Sequence, residues 1–91
     1  MKQDEAAEIA LWALGLIASD EGALTRLMSE TGVGAESLKR APEEPELLGA
    51  VLDFLFADEI LLLDFCRKQG VTPNQVIRAR AALPGGVPDW A

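Results

Sequence analysis

The groups in this chain that could do chemistry are carboxylates. Glu43, Glu44 and Glu46 crowd one short stretch and Asp58 and Glu59 another, and closely held carboxyl pairs are minimal equipment for general acid–base work. Each cluster, however, sits where a helix is about to begin, a place where carboxylates cap free amides and complement the helix dipole. That structural role is sufficient, and no catalytic residue is expected among them. The rest of the inventory is thin. The 91 residues include no histidine and no tyrosine, which removes the commonest general base, the commonest metal ligand and the phenolic acid together. Cys66 is the single cysteine, so it has no internal disulfide partner, and without histidine it builds neither a Cys/His nucleophile pair nor a zinc site. It falls in an apolar stripe with Leu62 and Leu63 and is expected to be a buried, unreactive thiol. No EF-hand loop, phosphate-binding loop, dinucleotide fingerprint or nucleophile elbow occurs, and Gly32-Val33-Gly34 reads as a turn between helices. The expectation is a protein that is not an enzyme and that holds no cofactor or metal.

The elements that position these groups are helices, because no stretch alternates with the period of two that a strand requires. Punctuation divides the chain into six. The first spans about Asp4 to Ala18, with Asp4, Glu5 and Glu8 near its positive end and Trp12 expected in the core. Ser19 and Asp20 supply a cap for the second, which carries Leu24, Leu27 and Met28 and stops at Gly32. A short third helix covers roughly Ala35 to Ala41, anchored by Leu38. After the hinge Pro42-Glu43-Glu44-Pro45, the fourth runs from Pro45 to Ala57. Reading Asp58 as a cap starts a fifth helix at Glu59, running to Gln69 before Gly70. One uninterrupted helix here would instead throw Asp58 and Glu59 across its apolar surface. Thr72-Pro73-Asn74-Gln75 has the form of a capping box with proline at the first helical position and opens the sixth, which reaches Leu83. The expected fold is an all-α single domain over residues 1–84 with helices one and four central, followed by a tail, 85–91, that contains Trp90.

Shifting the chain by 38 residues lays Asp4–Ala41 over Pro42–Ala79 with ten identities, among them Asp20-Glu21 on Asp58-Glu59, Gly32-Val33 on Gly70-Val71 and Arg40-Ala41 on Arg78-Ala79. Shared caps and leucines of any helical chain account for such matches in one reading. In the other, two three-helix repeats of about 38 residues pack about a pseudo-twofold axis around one core, since two repeats are too few for a solenoid.

A formal charge of -7 from 15 acids and 8 bases argues against simple polyanion binding. The charge is unevenly spread: residues 1–64 hold 14 of the acids and four bases, whereas 65–88 hold Arg67, Lys68, Arg78 and Arg80 and no acid. Those four bases flank Cys66, Gly70, Val71 and Val76, whose order is similar to that of a helix-turn-helix. They are the candidate polyanion-binding residues. Against a DNA-reading role stand the proline inside the turn, the same turn at Gly32 in an acidic setting, and the normal preference of bases for helix C-termini. Asp4 and Glu5 stand where a signal peptide would carry positive charge ahead of an apolar run, and Ile9–Ala18 is far short of the ~20 apolar residues of a membrane span. A soluble cytoplasmic protein is expected.

The run Val51-Leu52-Asp53-Phe54-Leu55-Phe56-Ala57-Asp58-Glu59, the turn Gly70-Val71-Thr72-Pro73 and the ending Ala79-Arg80-Ala81-Ala82-Leu83-Pro84-Gly85 resemble the family called domain of unknown function 3572. The likeness extends from about Glu5 to Gly85. It implies a small, freestanding, all-helical protein of the bacterial cytoplasm, mainly alphaproteobacterial, and brings no activity, ligand or site residue with it. With an apolar content of 49%, a surplus beyond what one small core hides would form a contact surface. The first functional expectation is therefore a protein-binding module or homodimerising accessory protein; the alternative is a nucleic-acid-associated accessory protein using the hairpin around Gly70.

Overall fold

The computed structural model describes residues 1–85, and within them every regular element is helical. The helices are α1 (Gln3–Ala18), α2 (Glu21–Thr31), α3 (Ala35–Lys39), α4 (Pro45–Phe56), α5 (Glu59–Gln69) and α6 (Pro73–Ala82), with a 3-10 turn at Ala41–Glu43 between α3 and α4. The caps expected from sequence form. Asp20 accepts from the amides of Gly22 and Ala23 at 3.0 and 3.2 Å, and Asp58 accepts from that of Leu61 at 3.1 Å. Thr72 and Gln75 close their reciprocal box at 3.1 and 2.8 Å. Gly32 and Gly70 end α2 and α5 in the left-handed region, with φ of 72° and 67°, where a Cβ would be strained. The third helix is shorter than expected, ending at Lys39, because the proline at 42 tightens the chain into the 3-10 turn. Trp90 and the rest of the tail from 86 onward lie outside the described residues.

Helices α1 and α4 are central. α1 packs chiefly on α6 and α4, and α4 buries seven of its twelve residues, including Leu48, Val51, Leu52 and Leu55. The inward face of α1 is built from small residues, Ala6, Ala10 and Ala13, together with Ile9 and Ile17. Alanines there let neighbouring helices approach closely, and this displaces the one large aromatic. Trp12, expected in the core, is 40% exposed, about 120° around the helix from the centre of the buried stripe. Phe65, Leu27, Ile17, Leu48, Leu52 and Leu55 are fully enclosed, and Cys66 is buried beside them. Burial pushes the Cys66 thiol pKa up, away from the thiolate that reactivity needs.

Several element boundaries match at the 38-residue offset, although the starts of α1 and α4 and the ends of α3 and α6 do not. The offset relates Glu21–Thr31 to Glu59–Gln69 at both ends, the end of α1 to the end of α4, and the start of α3 to the start of α6. Six offset-related pairs are buried at both positions, Ile9 and Leu47, Ala10 and Leu48, Ala13 and Val51, Ile17 and Leu55, Leu27 and Phe65, and Ala41 and Ala79, whereas buried Ala6 corresponds to exposed Glu44. Principal extents of 31, 25 and 23 Å enclose these residues in one body, so both halves contribute to a common interior.

Candidate functional site

Two surface hollows lie between α2 on one side and α4 with α5 on the other. The first, about 620 Å³, is walled by Glu30, Thr31 and Val33 at the end of α2, by Ser37 of α3, and by Leu47, Ala50 and Phe54 of α4. The second, about 610 Å³, is walled by Asp20, Ala23 and Arg26 of the α2 segment and by Asp58, Leu61 and Asp64 of the α5 segment. These two sets are equivalents under the 38-residue offset, so related positions of the two halves face each other across the second hollow. Arg26 lines the second hollow and reaches over Phe54, which lines the first. Its guanidinium lies over the Phe54 ring, 5.3 Å from the centroid, and donates to Asp58 at 3.0 Å.

Electrostatics along this face are set by helix ends. The Leu61 amide and the Arg26 guanidinium hold the Asp58 carboxyl below the usual carboxylate value of 3.8. Arg67 and Lys68 do the same for Asp64. Because both folded pKa values are depressed, the stability these groups contribute is complete above the unfolded value near 3.8 and disappears as pH falls through the lower folded values. Urea midpoints measured from pH 6 to pH 2 are thus expected to hold steady at first and then decline below about pH 4. Asp58→Asn should lower the plateau and flatten part of that decline.

The four bases singled out from sequence have different surroundings. Arg67 and Lys68 converge on Asp64 of their own helix, Lys68 at 3.2 Å. Arg80 turns inward against α4, its side chain only 17% exposed, and grips Asp53 in a bidentate pair at 2.7 and 3.0 Å. It also donates to the carbonyls of Pro84 and Gly85, both at 3.2 Å, so the chain after α6 is fastened to α4. Gly49 makes room for this clamp, since a Cβ there would stand 2.7 Å from the Arg80 Nη1. Arg78 is exposed and has no ion pair among the described residues.

What residue-type reasoning passed over is an apolar patch on α5. Ile60 is 83% exposed and Leu63 51% exposed, one turn apart beside the second hollow. A helical wheel centred on Phe65 carries the signal, because it puts Ile60 about 140° and Leu63 about 160° from the buried direction. Ile77 on α6, 51% exposed, is a further exposed apolar residue.

A family model described as protein of unknown function (DUF3572) matches residues 3–86. The chain belongs to that family. No curated protein and no solved structure matches it. The DUF3572 match takes in all six helices. Among the described residues of this DUF3572 chain, no helix is long and apolar enough to cross a membrane.

Proposed function

We propose that this DUF3572 protein is a non-enzymatic module of the bacterial cytoplasm that acts by binding protein, and that it self-associates through the outer face of α5. The observation that carries the reading is Ile60, an isoleucine 83% exposed, with Leu63 a turn away on the same helix. Such a pair is hydrated at an entropic cost, and covering it relieves that cost and stabilises a complex. A second copy suits the surroundings. An isologous contact must be self-complementary, and the hollow beside the patch carries near-balanced charge, with Arg26 and Arg67 already paired to Asp58 and Asp64, so a second copy meets little net repulsion there. The non-enzymatic part rests on prior occupation: Asp20 and Asp58 cap helices, Asp53 and Asp64 pair with bases, and Cys66 is buried.

Polyanion binding has less to support it. Arg67, Lys68 and Arg80 already face carboxylates of their own chain, which leaves Arg78 to contact a phosphate.

Sedimentation over a concentration series tests self-association. The apparent mass should climb toward that of a dimer, and Ile60→Asp should remain a monomer while melting at an unchanged temperature. Since the contact recurs twice in a twofold dimer, the loss is about 3–6 kcal/mol, or at least two orders of magnitude in dissociation constant. A wild-type chain that stays monomeric into the millimolar range would overturn the proposal.

A further inference from the structure

We infer that the hollow between α2, α3 and α4 docks a basic amphipathic segment of a partner protein, with apolar side chains against α4 and lysine or arginine at the rim. One side is a stripe of α4, where Leu47, Ala50 and Phe54 recur at intervals of three and four residues; Leu47 and Phe54 are largely buried, and Ala50, Ala57 and Val33 supply the more exposed apolar surface. The rim carries Glu30 near the end of α2, Glu44 at the cap of α4 and Glu46 in its first turn. None of these three is in an ion pair among the described residues, and no base lines the hollow. Asp53, the remaining carboxylate there, is held by Arg80.

An apolar floor inside a rim of one sign selects a partner that is apolar and of the opposite sign. A nucleic acid brings the wrong charge. A second copy of this acidic chain brings glutamates to meet glutamates, so this hollow differs in kind from the mixed-charge face of α5. Arg26 provides an example within the chain of the recognition proposed, for it lays its guanidinium over Phe54 and ends on a carboxylate. A helix-in-groove partner would repeat that arrangement along the other turns of the same stripe.

The test is a titration of the isotopically labelled full chain with three short synthetic peptides: a Leu/Lys amphipathic helix, a Leu/Glu helix of the same pattern, and a Ser/Lys control. Amide resonances of residues 30–33 and 47–54 should move with the Leu/Lys peptide alone. Glu30→Lys, placed in the last turn of α2 where a cation suits the dipole, should weaken that binding by about tenfold or more, as should Glu44→Lys with Glu46→Lys. The inference is overturned if the Ser/Lys peptide binds as well, if the shifts scatter or centre on residues 60–67, or if the charge-reversed chains, still folded by their melting curves, bind undiminished.

Discussion

Phe65→Ala is expected to cost about 3–5 kcal/mol of folding free energy and to lower the melting temperature by roughly 15–30 °C. Phe65 heads the fully enclosed side chains by volume, and it leaves α5 toward the interior, opposite to Ile60 and Leu63. Its removal takes away the transfer free energy of an aromatic ring and leaves a cavity that rigid helices on all sides close only in part. A domain of this size has on the order of 5–14 kcal/mol to lose. Thermal and urea unfolding followed by circular dichroism would measure the change. A loss under about 1 kcal/mol would mean that α5 is not seated in the core as described.

The second large effect concerns the two halves. Ile17 closes the buried face of α1 and Leu55 that of α4, at equivalent positions under the 38-residue offset, and both are wholly enclosed. Each alanine substitution alone should cost about 2–5 kcal/mol and leave one cooperative transition. The combination Ile17→Ala with Leu55→Ala should abolish cooperative unfolding at 25 °C, because the summed loss approaches the stability of the whole domain. Differential scanning calorimetry reads this directly. Two separate transitions in either single variant would show instead that the halves fold as independent units.

Much of the backbone is legible in the sequence because local chemistry dictates it. Asp20, Asp58 and the Thr72–Gln75 box are decided within three residues by amides that need acceptors, and Gly32 and Gly70 by a φ other residues avoid. That determinism is why all six helices fall near their expected places. Trp12 shows where local reasoning ends. Hydrophobicity ranks tryptophan as interior, but α1 packs through alanines, and which face is inward depends on how closely α4 and α6 approach. The fate of the bases is of the same kind: Arg80 is cationic in sequence, and its neutralisation by Asp53 links residues 27 positions apart. The apolar patch on α5 is legible once Phe65 fixes the buried direction. The glutamate-rimmed hollow is not, since Glu30 and Glu46 meet only after α2 and α4 are brought together by packing.

The clamp of Arg80 on Asp53 has a consequence for the order in which this chain can accept substitutions. Its guanidinium fills the volume that any side chain at position 49 would need, so glycine there is a condition imposed by a residue 31 positions away. If Arg80 is lost first, the helix at 49 can take alanine, whose propensity is better by about 1 kcal/mol, once the Pro84 carbonyl 3.3 Å from such a Cβ gives way slightly. If Gly49 changes first, the arginine must be pushed off a carboxylate and two carbonyls that no other base replaces. The same two substitutions are therefore expected to be permissive in one order and costly in the other.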